Sequence, residues 1–240
     1  YVLVMSSFTS LLLFIGAFLF FKEPESSEEP GMKRTLGKVF SDMLLVFGNL
    51  RFISFLVIFS GFWIMFWQIF YSFPFYVTDV LKFPQFEILE TVDAWTIILV
   101  SVPITALAKK LKPITAMTLG FTIASASWLL IGVSATVPAA IIGIALFAFG
   151  EATQAPRFYE YVSSLAPKEQ VGTFMGFAFL PVAIGSFVGG PVSDWLRHSY
   201  LGETMNPSMV WYTLAAIGLG STLLMVVHNM IFARRGSAQA

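Results

Sequence analysis

Residues 52–77 read FISFLVIFSGFWIMFWQIFYSFPFYV and contain no Asp, Glu, Lys or Arg. About 20 consecutive apolar residues are enough for an α-helix to cross the hydrocarbon core of a bilayer. The whole 240-residue chain has the same character, because hydrophobic residues make up 57% of it and charged residues only 12%. Soluble domains carry roughly 25% charged residues. The composition therefore predicts an all-α integral membrane protein of the cell or inner membrane.

Seven apolar stretches are predicted to be transmembrane helices. Most of the joints between them are short, which forces consecutive helices to run antiparallel. The one longer connection, residues 22–51, begins with polar residues, whereas residues 36–47 place apolar side chains near helical spacing. We expect it to be a cytosolic linker that includes a helix at the membrane surface. The predicted spans are 2–21, 52–77, 92–108, 114–134, 137–161, 172–192 and 208–232.

The distribution of Lys and Arg predicts the orientation of the chain. If the first span runs from outside to inside, eleven of the fourteen basic residues fall in inner segments and two in outer loops. Cytosolic loops of membrane proteins carry such an excess, so the C-terminus is predicted to be cytosolic. The inner residues are Lys22, Lys33, Arg34, Lys38, Arg51, Lys109, Lys110, Lys112, Lys168, Arg234 and Arg235, and the outer residues are Lys82 and Arg197.

Several classes of function are excluded by what the chain contains. Its formal net charge is +0, so no basic field indicates nucleic acid as a partner. It has no Cys, and its two His residues, His198 and His228, lie far apart, so we predict no metal and no cofactor. No His within a span lies near a Ser, so an enzyme is not expected. The chain starts at Tyr1 within an apolar run, which we interpret as part of a longer protein without a signal peptide.

The fifth predicted span contains three charged residues, Glu151, Arg157 and Glu160. A charged side chain at mid-bilayer costs about 2.5–3.5 kcal/mol on insertion scales, so such residues usually have a function. Arg157 and Glu160 are one helical turn apart and suit an ion pair or a gate near the cytosolic end. Glu151 lies near the centre of the span, where a carboxylate can bind a substrate or a proton. A buried carboxylate held by another helix is the alternative.

Other polar and aromatic residues within the spans leave two interpretations open. Gln68, Tyr71 and Ser72 share one face of the second span, which suits either a cavity wall or hydrogen bonds between helices. Trp128 and Trp211 are expected to be lipid or interface anchors.

Proline and glycine indicate how the helices bend and pack. Pro74, Pro103, Pro156 and Pro181 are predicted to interrupt four spans, and Pro103 and Pro181 are three spans apart, as an internal three-helix repeat would place them. A series of small residues in the sixth span permits close approach of helices. These are Gly172, Gly176, Gly185, Gly189 and Gly190.

Six short motifs resemble the major facilitator superfamily, and within it the proton-dependent oligopeptide transporters. FGEATQAP (149–156), LAPK (165–168), FMGFAFL (174–180) and AIGSFVGG (183–190) are similar to helices ten and eleven of that family. FWIMFWQ (62–68) is similar to helix seven, and KKLKP (109–113) to the loop after helix eight. One residue departs from the pattern: Trp67 stands where peptide transporters carry an acidic residue.

The resemblance implies that the seven spans are helices six to twelve of the major facilitator fold. Residues 1–21 would end the N-terminal half, 22–51 would form the linker, and 52–240 would form the C-terminal six-helix bundle with a short tail. The missing N-terminal half of the same protein would complete the site. The implied mechanism is alternating access, in which two bundles rock about a site at the membrane midplane.

The resemblance also implies residues and function. Glu151, Gln68, Tyr71 and Gln154 would line the substrate and proton site, whereas Arg157, Glu160, Lys109 and Lys110 would form the cytosolic gate. The substrate would be a small polar solute such as a di- or tripeptide, and protons would drive its transport. An efflux antiporter for amphipathic drugs and a non-transporting membrane scaffold are the alternatives.

We predict that the loops near Lys110 and Lys168 and the tail after Arg235 are cytosolic, and that the loops near Lys82 and Arg197 are external. The sequence has no Cys, so single introduced cysteines can be labelled with an impermeant maleimide against a clean background. Labelling of position 82 in intact cells, and of position 110 only after lysis, is the expected result. Labelling of position 110 from outside would reverse the topology.

Overall fold

The computed structural model describes residues 2–22, 36–203 and 205–237, which are helical almost throughout and contain no strand. Two compact units are present, residues 1–39 and residues 40–240. The first contains the helix α1, and the second contains the six long helices discussed below. The helices are α1 (Val2–Phe20), α2 (Leu36–Gly48), α3 (Leu50–Val80), α4 (Phe86–Ala108), α5 (Pro113–Val133), α6 (Val137–Leu165), α7 (Val171–Gly202) and α8 (Ser208–Ser237).

The predicted all-α membrane fold is confirmed, because α3 to α8 are each long and apolar enough to cross a bilayer. The first predicted span is also a helix, but its described apolar stretch, Val4–Phe20, is shorter than the other six, so a crossing by α1 stays a prediction. The predicted linker contains the helix α2, as expected. The polar start of that linker, residues 23–35, lies outside the described residues.

The helices start where the sequence supplies a cap. The Asn49 side chain accepts a hydrogen bond from the Phe52 N–H at 3.1 Å, which satisfies a free donor in the first turn of α3. Thr136 does the same for the Ala139 N–H at the start of α6. Pro113 occupies the first turn of α5, where the N–H that it lacks has no partner in any helix.

The packing of the six helices repeats after three. Helix α3 packs against α7, and α6, three helices later, packs against α4. In the same way α5 packs against α6, and α8 packs against α3, while α5 and α8 contact each other. The three-helix repeat that Pro103 and Pro181 indicated is consistent with this pattern, since the two prolines lie in the corresponding helices α4 and α7.

Glycine allows the helices to approach until their backbones touch. A Cβ atom added to Gly150 of α6 would lie 2.5 Å from the Gly120 carbonyl oxygen and 2.7 Å from the Ala124 nitrogen, both on α5. Two glycines of the small-residue series in α7 lie close to α3. A Cβ added to Gly185 would meet the backbone of Trp63, and a Cβ added to Gly189 would lie 3.3 Å from the Trp67 Cβ. Gly172, Gly176 and Gly190 have no neighbour within 4 Å, so they do not mediate contact between helices.

Only two of the four predicted proline interruptions coincide with a break. The α-helical part of α3 ends at Tyr71, resumes at Phe73–Phe75 around Pro74, and then continues as a π-helical turn, Tyr76–Val80. Helix α7 is interrupted after Phe177 and resumes at Leu180, one residue before Pro181. Pro103 and Pro156 lie inside helices that stay continuous.

The prediction that Trp128 and Trp211 are lipid or interface anchors is wrong. Both side chains are fully buried, and their rings stack at a centroid distance of 5.1 Å with an interplanar angle of 11°. Tyr76 of α3 packs edge-on against Trp211 at 4.8 Å. These rings fill the space where α3, α5 and α8 meet, a position that sequence alone cannot distinguish from a lipid-facing one.

Gly185→Ala is expected to destabilise the bundle, whereas Gly190→Ala is not. An added Cβ at Gly185 would lie 2.7 Å from the backbone carbonyl carbon of Trp63, so α3 and α7 would have to separate. Overpacking of this kind costs about 1–3 kcal/mol. Gly190 is on the same helix with open space around it. Thermal unfolding of the two variants in detergent measures the difference. Equal stability would show that α3 and α7 can separate at this contact without destabilising the bundle.

Candidate functional site: a carboxylate at the middle of a membrane helix

Glu151 lies at the middle of the long apolar helix α6. Glu151 is about 21 Å along the helix from Val137, given a rise of 1.5 Å per residue. The residue before it, Gly150, contacts the backbone of α5, so this point of α6 is fixed against its neighbour. The position of the carboxylate relative to α5 therefore follows from a close backbone contact.

The Glu151 carboxylate has no protein partner within the described part of the chain. Its Oε2 atom is shielded from solvent and accepts no hydrogen bond. The side chain as a whole is half-buried, so it is open on one side. A buried acceptor without a donor is costly, which makes it a place where a proton or a cation binds favourably.

A second carboxylate, Asp93 of α4, was missed by the sequence analysis. Helix α4 packs against α6, and the Asp93 charge is close enough to act electrostatically on Glu151. Its Oδ1 atom is shielded from solvent and also lacks a hydrogen-bond partner. The third span was predicted to start at residue 92, which placed Asp93 at its edge, whereas α4 starts at Phe86 and holds Asp93 two turns inside.

Gln154, predicted to lie at the same site, points toward α5. Its side chain is 2% exposed and packs over Gly120, whose added Cβ would lie 2.9 Å from the Gln154 Cβ. The Gln154 Oε1 atom is buried and has no hydrogen-bond partner. Gln154 thus shares a helix with Glu151 and leaves a free acceptor, but it faces the α5–α6 seam.

Gln68 joins two helices and leaves no polar atom free. Its amide nitrogen donates to the Gly189 carbonyl of α7 at 2.9 Å, and its amide oxygen accepts from the Ser72 hydroxyl at 2.6 Å. The Ser72 hydroxyl lies 2.9 Å from that of Ser193, also on α7. The contacts favour the interpretation of helix–helix hydrogen bonding for this face over that of a cavity wall.

Tyr71 lies at the same contact between α3 and α7. Its ring stacks on Trp67 at a centroid distance of 5.7 Å and an angle of 16°. The Tyr71 ring also lies 3.4 Å from the position of an added Cβ at Gly189. The structure therefore places Tyr71 with Gln68 between α3 and α7, away from the α4–α6 contact that holds Glu151.

An aromatic ladder connects α3 with the helix that carries Glu151. Phe62 stacks on Phe147 of α6 at 5.4 Å, and Phe66 lies 6.3 Å from the same ring. Trp63 packs edge-on against Phe66 at 5.0 Å. Phe147 is one helical turn before Glu151, so an aromatic surface lies beside the carboxylate.

The predicted gate residues lie together at the other end of α6. Arg157 forms an ion pair with Glu160 and donates from Nη2 to the Leu111 carbonyl at 2.6 Å. Leu111 belongs to the joint between α4 and α5, whose residues Lys109 and Lys110 are exposed. Arg157 thus ties α6 to this joint, as an element of a gate or of a purely structural clamp would.

Comparison with known proteins identifies the family. The family model of the "Major Facilitator Superfamily" matches residues 1–190 and, in a second match, residues 83–237. The chain belongs to the major facilitator superfamily. The resemblance seen in its motifs is confirmed at this level.

Relatives with curated names include multidrug resistance proteins. The chain is 24% identical over 171 residues to "Multidrug resistance protein MdtH" of Proteus mirabilis (strain HI4320), which covers 70% of the chain and 42% of that protein. It is 26% identical over 180 residues to the MdtH protein of Escherichia coli O157:H7, covering 74% of the chain and 44% of that protein. The chain thus spans less than half the length of these relatives.

Solved structures with this fold include transporters of the POT family. Crystal structures of such transporters, in complex with a thioalcohol-conjugated peptide and with 5-aminolevulinic acid, superpose with TM-scores of 0.64 and 0.65. Each is 14% identical to the chain, and each match covers 94% of the chain and 52% of the solved protein. At this identity the likeness shows the fold.

Ser72→Ala is expected to lower stability by about 1 kcal/mol, because it removes the hydroxyl between Gln68 and Ser193 in a buried seam. Ser186→Ala is the matched control, since the Ser186 hydroxyl bonds only to a carbonyl of its own helix, that of Ala183. Chemical unfolding in detergent measures both. If Ser72→Ala unfolds like the control, the hydrogen-bonded seam does not hold α3 to α7.

Proposed function

We propose that the chain is the C-terminal half of a secondary active transporter that moves a small polar solute, such as a di- or tripeptide, by alternating access coupled to protons. The observation that carries the proposal is the Glu151 carboxylate, which lies at mid-membrane with a buried oxygen and no partner within the described residues. Ionisable residues at this depth usually mark substrate or proton pathways. Family membership supports transport as the activity.

The chain's length and surface support a second half. The chain covers about half of the POT family transporters that share its fold. Helices α4 and α7 are the least covered of the six, with side chains such as Leu99 and Phe187 exposed at 74% and 82%. Apolar surface of this kind suits the lipid bilayer and contact with an N-terminal bundle.

Proton coupling follows from the chemistry of a carboxylate in such a place. When Glu151 is neutral, the carrier can change between its two states without a counter-ion. When Glu151 is charged, it must first bind a proton or a cationic group of the substrate. Substrate binding and proton binding at one carboxylate then depend on each other, as linkage requires. Gln154, with its free buried acceptor, is the second candidate ligand in this arrangement.

The cytosolic gate is proposed at Arg157 and Glu160. The hydrogen bond from Arg157 to the Leu111 carbonyl holds the joint between α4 and α5 against α6. The exposed Lys109 and Lys110 on that joint would meet acidic groups of the other half when the inner side closes. Breaking and remaking these contacts would accompany each transport cycle.

Efflux of an amphipathic drug is the second candidate, and the aromatic ladder favours it. Phe147, one turn before Glu151, packs with Phe62 and Phe66 of α3, so aromatic side chains line this part of α6. A lipophilic cation is stabilised by aromatic faces and a nearby carboxylate together. The relatives named multidrug resistance proteins agree with this candidate.

In the intact transporter, Glu151→Gln is expected to abolish accumulation of substrate while leaving counterflow intact. Gln has the shape of protonated Glu but cannot ionise. A pH difference of one unit supports an about tenfold concentration ratio for one proton per substrate, and in the variant this ratio should fall to equality. Gradient-driven uptake and counterflow in proteoliposomes measure the two quantities.

Two further variants sharpen this experiment. Glu151→Asp should keep partial coupling because it still titrates, and Arg157→Gln should lower expression or slow the cycle without uncoupling it. Wild-type accumulation by Glu151→Gln would remove Glu151 from coupling. In the same vesicles, inhibition of counterflow by dipeptides supports the first substrate class, and inhibition by lipophilic cations alone supports efflux.

A further inference from the structure

Three acidic residues are spaced three apart on α4, and they lead inward from its first turn. Glu87 is exposed, Glu90 is half-buried, and the Oδ1 atom of Asp93 is shielded from solvent. Residues three apart on a helix are neighbours, with about 5–6 Å between their Cβ atoms. The charges of Glu87 and Glu90 act on each other, and so do those of Asp93 and Glu151. The four carboxylates therefore form a series from the end of α4 to the middle of α6.

Asp93 faces the bundle rather than lipid. It lies one turn after Leu89, the buried side chain by which this part of α4 packs on its neighbours, so the two share a face. Trp95, Ile98 and Leu99, on the remaining surface of α4, are exposed at 62%, 65% and 74%. The Asp93 carboxylate therefore lies on the side of α4 that packs against α6.

No basic group in the described part of the chain neutralises this pair. Helix α5, which also packs against α6, has no ionisable side chain between Pro113 and Val133. On α6 itself, Arg157 is engaged with Glu160 and the Leu111 carbonyl. Arg51 and Asp79 lie near the two ends of α3, and the His228 ring of α8 bonds to the Arg51 carbonyl. Asp93 and Glu151 thus have no basic partner among the described residues, and each interacts with the charge of the other.

We propose that Asp93 is the relay residue through which protons reach Glu151 from the outer end of α4, with Glu90 and Glu87 as the preceding steps. This inference rests on the proposed function, because it assigns a route to the proton that Glu151 binds. In the relay step the O–H bond of neutral Asp93 breaks and an O–H bond forms on the Glu151 carboxylate. The Asp93 carboxylate left behind takes a proton from Glu90, directly or through water, and Glu87 resupplies Glu90 from the outer solution.

Two shielded acceptors on helices that pack together allow the proton to pass in either direction. Each carboxylate has a shielded oxygen without a hydrogen-bond donor, so binding of a proton is favourable at either one. The two negative charges repel each other, which favours a state in which the pair holds one proton. A pair that holds one proton can pass it on when substrate changes the surroundings of Glu151.

The test compares Asp93→Asn with wild type in the intact transporter, reconstituted in proteoliposomes of known orientation. Asn has the size of Asp and cannot carry a proton. The initial rate of proton-driven uptake with the acidic solution on the outer side is expected to fall at least about tenfold. Counterflow, which needs no net proton movement, should stay at the wild-type rate. Asp93→Glu should restore uptake.

Matched variants separate a route from a general loss of charge. Glu90→Gln should slow the same uptake by a smaller factor, because Glu90 is half-buried and water can replace it. Asp79→Asn removes an exposed carboxylate near the outer end of α3 and should have no effect. Combined with Glu151→Gln, Asp93→Asn should cause no further loss, since both act on one proton.

The outcomes distinguish this inference from the function on which it rests. If Glu151→Gln still accumulates substrate, the proposed function fails, whatever Asp93 does. If Glu151→Gln uncouples but Asp93→Asn takes up substrate at the wild-type rate, only the relay is wrong. If Asp93→Asn slows counterflow as much as uptake, its role is structural, and the relay is likewise overturned.

Discussion

The structure depends on the absence of water in the hydrocarbon core, where each backbone N–H and C=O must find its partner within the protein. Six long helices meet this requirement almost entirely within themselves. What then holds the helices together is contact at very short range, because lipid is as apolar as their side chains. Gly150 against Gly120, and Gly185 against Trp63, are the points at which backbones touch. These contacts fix how α5 lies against α6 and how α3 lies against α7.

The polar side chains inside the bundle fall into two groups. Gln68, Ser72 and Ser193 satisfy one another and the Gly189 carbonyl, so they form a closed seam between α3 and α7. Asp93 of α4 and Glu151 of α6 each have a shielded oxygen that accepts no hydrogen bond within the described part of the chain. A satisfied buried network stiffens a structure, whereas an unsatisfied one is retained at a cost in stability. The difference between the two groups marks where a functional site is expected.

The sequence predicted the fold better than the site, and particular residues show why. Runs such as 52–77 leave no alternative to a membrane helix, so six spans followed from composition alone. The third span was predicted to start at residue 92, after Glu87 and Glu90, whereas α4 starts at Phe86, so Asp93 was placed at the edge of the span and not inside it. Burial of Trp128 and Trp211 depends on which helix lies opposite, and helical periodicity does not contain that information. Gln68 is ambiguous for the same reason, because an amide suits a ligand and a carbonyl on a neighbouring helix equally well.

The hydrogen bond from Arg157 to Leu111 has a mechanical consequence. It joins α6 to the segment directly after α4, and these are the two helices that carry Glu151 and Asp93. The two helices are therefore held together near the end of α4 that this joint follows, and both extend beyond that contact. Electrostatic repulsion between the two carboxylates acts on α4 and α6 at a distance from this hydrogen bond. It therefore tends to turn one helix away from the other. Loss or gain of one proton on this carboxylate pair would therefore change the angle between the two helices for as long as the Arg157 hydrogen bond holds their ends together.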